Sequence, residues 1–389
     1  MHILVMSRTT LGHSLGGMQK QMMDLCEGFV ASGHQVSVIT TARKDGVTHE
    51  ITDGIETHYL AGCKPEHYSR KWNNLARRKI AEIHQAKPIN IIHSQSMGAN
   101  GVVKWANQNS VPIVSTWHGT SLSELGAFFP QASYHPRYWH WLAITPATFI
   151  KRHIFMELPV RKASKAITLV SPTLEKHMIR HAKGKVVTIP NGVHIPASIE
   201  DRGNQEIIQI ISIGRLVKQK WVQHAIHALS RLAGNQREKI HLNIVGDGPY
   251  LSNLKKLCQE LKLEDSVTFH GRLTGQKLVD MYQKCSIHLM PTTSHEGLPL
   301  TILEGMAYGL ATVASNIGGI PTAITDRHDG ILIPPGNVED LTNELSELIK
   351  NGEYRMNTGS AARKTVEQRY SMQKMVDDTL EVLSRCAEK

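Results

Sequence analysis

The sequence predicts an α/β protein of two domains, each built on a parallel sheet. Three observations carry that prediction. Short strand-like apolar runs alternate with helical stretches through both halves, the count of strand–helix units restarts near residue 200, and 389 residues exceed what one core ordinarily serves. Hydrophobic residues at 41% and charged residues at 20% are ordinary values that exclude disordered, collagen-like and coiled-coil classes. No stretch reaches the ~18 apolar residues of a spanning helix, and the N-terminal apolar run is too short for a signal-peptide core. A cytoplasmic protein is expected. Cys26, Cys63, Cys258, Cys285 and Cys386 are scattered, odd in number and without a Cys-x-x-Cys pair. They argue against a disulfide framework or a zinc site and read as buried or incidental thiols.

In the first half, residues 2–6 read as a buried strand, followed by a loop bearing Gly12, Gly16 and Gly17, a helix from about Met18 to Ala31 that ends at Gly33, and a strand from Gln35 to Thr40. That is a βαβ unit. The loop lacks Gly-x-Gly-x-x-Gly spacing, so Gly16-Gly17 is either a tight turn or a place where backbone approaches a ligand. Residues 69–84 place Trp72, Leu75, Ala76, Ile80 and Ile83 on one helical face amid Arg70, Lys71, Arg77, Arg78 and Lys79. Such a helix packs on a sheet with a solvated basic face, or lies on an anionic membrane. Residues 89–93 and 111–116 read as strands. The second leads to His118, at the carboxyl edge where open α/β sheets bind ligands. Residues 126–165 mix Phe128, Phe129, Tyr134, Tyr138, Trp139 and Trp141 with cations, which suits a membrane interface, stacking on sugars, single-stranded nucleic acid, or an ordinary loop and helix. Ala166–Val170 is a further strand, and Ser171-Pro172 signals a helix start.

The Asn191-Gly192 turn and a short linker precede a strand at 206–213, which places the domain boundary at residues 195/196. Strands at 240–245, 267–273, 287–290 and 311–314 follow, each delivering a glycine-bearing loop to the same sheet edge. After the strand at 206–213 comes Gly214-Arg215, with Lys220 five residues beyond Arg215; a planar fork and a point charge beside exposed backbone suit a diphosphate. Residues 340–369 are helical, and Ser371 opens a last amphipathic helix. Lys and Arg number 22 against 12 Asp and Glu in residues 1–200, and 22 against 22 beyond, so all the net charge of +10 lies in the first half. A basic half indicates an anionic partner, either a lipid surface, a phosphorylated acceptor or nucleic acid, or serves solubility alone. The basic residues form no nucleic-acid motif, so no nucleic-acid partner is expected.

Residues 291–321 concentrate the chemistry. Pro299 reads as the first helical turn and Gly309 as the residue past the helix end, which puts Glu296 in a loop and Glu304 inside the helix. The free N–H groups of the helix start suit a phosphate, and a carboxylate further along suits sugar hydroxyls.

Gly214-Arg215-Leu216 with Lys220, Gly246-Asp247-Gly248-Pro249, His295-Glu296-Gly297-Leu298-Pro299, Glu304 and Gly318-Gly319-Ile320-Pro321 occur in the order and spacing of one family. In the first half Gly16-Gly17, His118-Gly119, Ser171-Pro172 and Pro190-Asn191-Gly192-Val193 also correspond. The chain resembles the retaining glycosyltransferases of family 4, over nearly its whole length. The resemblance implies the GT-B fold, two Rossmann-like domains facing across a cleft, with residues 1–195 on the acceptor side, residues 196–370 binding the nucleotide sugar, and a helix at 371–389 crossing back to the first domain. It implies that Arg215 and Lys220 neutralise the donor diphosphate, that the amides after Gly297, at Leu298 and Leu300, bind its oxygens, that Glu304 holds the ribose and that Glu296 holds the transferred sugar. Gly16, Gly17, Gly214, Gly246 and Gly248 would line the donor, and His118, Gly119 and Thr120 would face the acceptor, His118 also contacting the reacting centre. The leaving diphosphate would take the acceptor's proton on the same face, so configuration is retained without a protein nucleophile. No Asp-x-Asp motif exists, in keeping with a metal-independent enzyme without a cofactor. Trp221 stands where many members have glycine, and Gly297-Leu298-Pro299 where many have Gly-Phe-Gly, so Pro299 withholds one amide. The expected partners are a UDP- or GDP-type sugar donor, a saccharide or lipid-linked acceptor of the cell envelope, and an anionic surface at the inner face of the membrane. A sugar-nucleotide epimerase, a phosphorylase and a non-catalytic sugar-nucleotide binder are the alternatives on the same fold.

Overall fold

The computed structural model describes the chain except residues 15, 120, 122–146, 179–183, 204 and 389. It divides into two compact units, one of Met1–Asn191 with Met372–Lys389 and the other of Gly192–Ser371.

The first unit holds an eight-stranded sheet in the order β3-β4-β2-β1-β5-β6-β7-β8. The strands are β1 (His2–Met6), β2 (Gln35–Thr41), β3 (His49–Thr52), β4 (Ile55–Leu60), β5 (Ile91–Gln95), β6 (Ile113–Trp117), β7 (Ser164–Leu169) and β8 (Val186–Thr188). All pairs are parallel except β3 with β4. Every residue of β1, β5 and β6 is buried, the polar His93, Ser94, Gln95, Ser115 and Thr116 included, as in a parallel sheet covered on both faces. β5 and β6 begin two residues later than the sequence suggests. The Ile89 amide is taken by His84 Nδ1 at 3.1 Å, and Pro112 has no N–H to give, so only its carbonyl joins the ladder, accepting from Ile92 at 2.9 Å. The β3–β4 hairpin went unpredicted, although Asp53-Gly54, both with positive φ, is the two-residue turn such hairpins prefer.

Helix α1 (Gly17–Ala31) follows β1, and α2 (Arg70–Ala86) is capped by the Ser69 side chain, which accepts from the Trp72 amide at 3.1 Å. Trp72, Ala76 and Ile80 are fully buried in one cluster with Leu4, Ile92 and Trp117. The apolar face of α2 is thus occupied by the sheet, and the alternative that it lies on a membrane is set aside. Only its basic face remains in solvent. Further along, α3 (Leu158–Ala163) leads into β7.

The second unit holds a six-stranded, all-parallel sheet in the order β11-β10-β9-β12-β13-β14. Its strands are β9 (Ile208–Ile213), β10 (Ile240–Val245), β11 (Val267–Gly271), β12 (Ile287–Met290), β13 (Ala311–Ser315) and β14 (Ile331–Ile333). Helix α4 (Val222–Arg231) follows β9, and α5 (Leu300–Ala307) follows β12. The strand order reverses between β9 and β12, which makes the gap above their carboxyl ends the place where open α/β sheets bind ligands. The long helical region divides into α6 (Val338–Lys350) and α7 (Gly352–Arg369), because Asn351 leaves helical geometry and its side chain caps α7 by accepting from Tyr354 at 2.9 Å.

The last helix, α8 (Met372–Ala387), belongs to the first unit and packs on α1. Gly28 permits the contact: a Cβ there would lie 2.3 Å from a methyl of Val376. Gln21 and Met375 meet at 3.5 Å, and Lys165 donates to the Cys386 carbonyl at 3.4 Å. All five cysteines are buried free thiols.

Candidate functional site

The loops after β9 and β12 are stitched together at the switch point. The Gln219 carbonyl accepts from Thr292 Oγ1 and Ser294 Oγ, both at 3.3 Å. Lys220 Nζ donates to Glu296 Oε1 at 2.5 Å, and the two side chains keep 28% and 18% of their surface exposed. Arg215 is exposed and forms no ion pair with any described residue. The loop after β9 also lies tightly on that after β10. Leu216 donates to the Asp247 carbonyl at 3.0 Å, and Cβ atoms at Gly246 and Gly248 would lie 1.9 Å and 2.3 Å from the carbonyl oxygens of Gly214 and Leu216. In this structure Gly246 and Gly248 are required by the approach of one backbone to another. Gly214 has φ +155 with nothing near its missing Cβ.

Trp221 has φ 53 and ψ 33, the left-handed conformation that favours glycine, and its ring lies 4.2 Å from that of His224. The departure from glycine noted in the sequence therefore falls on a strained position.

Glu296 is held through its backbone as well. Gly319 donates to the Glu296 carbonyl at 2.8 Å, and Gly318, at φ +62, leaves room that a Cβ would fill 2.4 Å from that oxygen. The Gly-Gly-Ile-Pro loop after β13 is thus a brace for Glu296. Leu298 and Leu300 turn into the core beneath, while Gly297 is half-buried. Pro299 is the N-cap of α5, one residue outside the helix, which corrects its placement in the first turn. The first amides of α5 have no partner four residues back, as at every helix start. Gly309, at φ +68, follows the helix end as expected. On α5, Glu304 is half-buried, and Tyr282 donates to its Oε2 at 2.9 Å. Tyr282 is itself buried and stacked on Tyr308 at 5.1 Å, and burial followed by the nearby Glu304 charge pushes its hydroxyl pKa well up, so it stays a donor.

In the first unit the switch lies between β1 and β5. Gly16 is the extended N-cap of α1, and Gly16 and Gly17 are exposed. A Cβ on Gly16 would meet Gln19 Oε1 at 2.5 Å, and Gln19 ties the loop by donating to Thr9 and Ser14 at 3.1 and 3.2 Å. His118, half-buried just after β6, shares a 3.0 Å hydrogen bond between its Nε2 and Gln95 Oε1. Burial lowers its pKa to about 4, so the ring is neutral at pH 7. Gly119 is half-buried; Thr120 and the aromatic residues Phe128, Phe129, Tyr134, Tyr138, Trp139 and Trp141 lie outside the described residues.

The second unit thus gathers Arg215, Lys220, Glu296, Gly297 and the start of α5 around one strand gap, with Glu304 a helical turn further along. Gln95, Tyr282 and the brace at Gly318-Gly319 were not assigned these roles from sequence; each acts through a partner distant in the chain, and no local pattern marks it. Among the described residues, His49, Glu56 and His58 are the group with ligand atoms close enough for a metal, within 4.8 Å of one another. They belong to the β3–β4 hairpin, which carries none of these residues.

Two parallel-sheet Rossmann-like domains, each with a strand switch and a final helix belonging to the first, define the GT-B class of glycosyltransferases. Comparison with known proteins agrees. Residues 15–195 match the family described as Glycosyltransferase Family 4, and residues 198–365 match that described as Glycosyl transferases group 1. An uncharacterized glycosyltransferase of Methanocaldococcus jannaschii is 24% identical over 390 residues, covering 95% of this chain and 94% of that protein. Among solved structures, sucrose-phosphate synthase from Thermosynechococcus elongatus superposes with a TM-score of 0.79 at 17% identity, over 99% of this chain and 98% of that one. Anabaena HepE in complex with UDP and glucose does so with a TM-score of 0.75 at 17% identity, over 99% and 100%. The chain belongs to the family 4 glycosyltransferases.

Proposed function

We propose that this chain is a retaining, metal-independent enzyme that moves a sugar from a nucleoside diphosphate sugar of UDP or GDP type to an acceptor hydroxyl. The observation that carries the proposal is the Lys220–Glu296 contact at the β9–β12 switch, with the exposed Arg215 on the same loop. A diphosphate needs cations and free amides, and a transferred hexose needs a carboxylate for its hydroxyls. Arg215, Lys220 and the start of α5 supply the first set, Glu296 the second, and Glu304 takes the ribose. With this charge neutralisation built from side chains and a helix start, a divalent ion has no necessary task. His118, neutral at pH 7, is assigned to the acceptor side with Gly119 and Thr120. The leaving diphosphate oxygen accepts the acceptor's proton as the new bond forms on the same face. The UDP seen with the Anabaena structure supports a UDP donor.

The acceptor is a saccharide or lipid-linked saccharide. Ile150, Ile154 and Phe155 are exposed beside Lys151 in the basic unit, a combination that favours a peripheral site on an anionic membrane. The test is consumption of UDP-, GDP- and ADP-sugars with and without cell-envelope saccharide. One donor is consumed only with acceptor, EDTA leaves the rate unchanged, and the product keeps the donor's anomeric configuration by proton NMR. Consumption without acceptor, an inverted product or loss of activity in EDTA would each refute the corresponding part.

A further inference from the structure

We infer that Glu157 is a positioning residue for His118, acting with Arg161 as a clamp on the segment that carries it. The inference rests on the assignment of His118 to the reacting site. Glu157 is wholly buried, and each of its oxygens is used twice. Oε1 accepts from the Ser121 amide at 2.8 Å and from Ser121 Oγ at 2.6 Å; Oε2 pairs with His153 Nδ1 at 2.9 Å and Arg161 Nη2 at 3.1 Å. Burial pushes the Glu157 carboxyl up, but the bonds from Ser121 and His153 and the charge of Arg161 outweigh it and hold it below the usual carboxylate range. Arg161 is 1% exposed, and its guanidinium carbon sits 4.7 Å from the centre of the buried Trp117 ring.

The two members of one ion pair therefore grip the chain at residue 117 and at residue 121, the flanks of His118-Gly119-Thr120. Burying an ion pair is a poor route to stability, since apolar residues of the same volume serve as well or better; what it supplies is a defined position. His153–Glu157 is also a π-helical turn, a register change found frequently at functional sites. His153, Glu157 and Arg161 repeat at four-residue spacing; Glu157 and Arg161 reach this one segment, and His153 bonds to Glu157.

The test uses the full chain labelled with 15N-histidine, with the His118 signals assigned by their loss in His118→Ala. In the wild type, His118 shows one tautomer, Nε2–H, fixed by Gln95. Glu157→Gln keeps an oxygen for Ser121 but removes the charge that holds Arg161, so the His118 signals move toward the average of both tautomers while those of His288 in the other unit stay in place. Ser121→Ala, which deletes a single bond, shifts them the same way by less and serves if Glu157→Gln does not fold. Unmoved His118 signals in a folded variant, or equal movement of His288, would overturn the inference. A kinetic arm separates this from the reading beneath it. Glu157→Gln lowers kcat at least 10-fold with little change in donor KM, and adds nothing in a His118→Ala background; additive losses overturn the clamp. If His118→Ala alone leaves kcat unchanged, the assignment of His118 falls instead, while the NMR result still reports on the clamp.

Discussion

Glu296 and Lys220 neutralise each other at 2.5 Å, so at the proposed donor site a diphosphate would have to take Lys220 from its partner. On the proposed reading the carboxylate would compete with the nucleotide for Lys220 and also serve as a ligand for the sugar. Glu296→Gln removes the competition while keeping the shape. UDP should bind a few-fold more tightly to that variant by calorimetry, and transfer should fall at least 10-fold; weaker UDP binding would show that the pair does not compete. Trp221 makes a second case. At φ 53 any side chain is strained by about 1 kcal/mol relative to glycine. Trp221→Gly and Trp221→Ala lose the same ring contact with His224, yet the glycine variant should be the more stable of the two by about 1 kcal/mol in urea unfolding. Equal midpoints would mean that the backbone relaxes.

Glycines decide much at the level of elements, and they differ in how far sequence exposes their purpose. Gly28 lies in mid-helix, where alanine ordinarily stabilises by about 1 kcal/mol. Here a Cβ would sit 2.3 Å from Val376, so Gly28→Ala should cost about 1–3 kcal/mol, and Val376→Ala in the same chain should return most of it. Thermal unfolding of the three variants measures this, and full additivity would contradict the packing argument. The βα units were legible because buried parallel strands are continuous apolar runs and their loops carry turn residues. The hairpin at Asp53-Gly54 was legible in principle, since the dipeptide names its turn. The brace of Gly318-Gly319 on Glu296 and the Glu157–Arg161 clamp were not, because each joins backbone and side chains brought together only by the sheet. Pro299 illustrates a finer limit: cap and first-turn positions are adjacent in sequence, and the backbone alone separates them.

Over the whole molecule, several histidines are held neutral by burial. His93, His224 and His288 each have a pKa lowered to about 4, and among the described residues neither ring nitrogen of His288 has a hydrogen-bond partner. In the unfolded chain they titrate near 6.5. Between those values the unfolded state binds protons that the folded state refuses, so stability is full above about pH 6.5 and declines as pH falls toward 4, by up to about 1.4 kcal/mol per pH unit for each group. The melting temperature should therefore drop steadily from pH 7 to pH 5, and a flat profile would show these rings to be solvated. Charge is divided as well: the basic excess lies in the first half, while the donor loops belong to the balanced second half. On the proposed reading, donor binding would depend on a few placed groups, Arg215 first among them. Calorimetric titration of UDP, GDP and ADP into the wild type and Arg215→Ala tests that most directly. One nucleotide should bind the wild type and lose about 10- to 100-fold in affinity in the variant, the equivalent of roughly 1.5–3 kcal/mol for one charge-assisted contact. Binding of none of the three to the wild type, or equal affinity in Arg215→Ala, would contradict the placement of the donor at the β9–β12 switch.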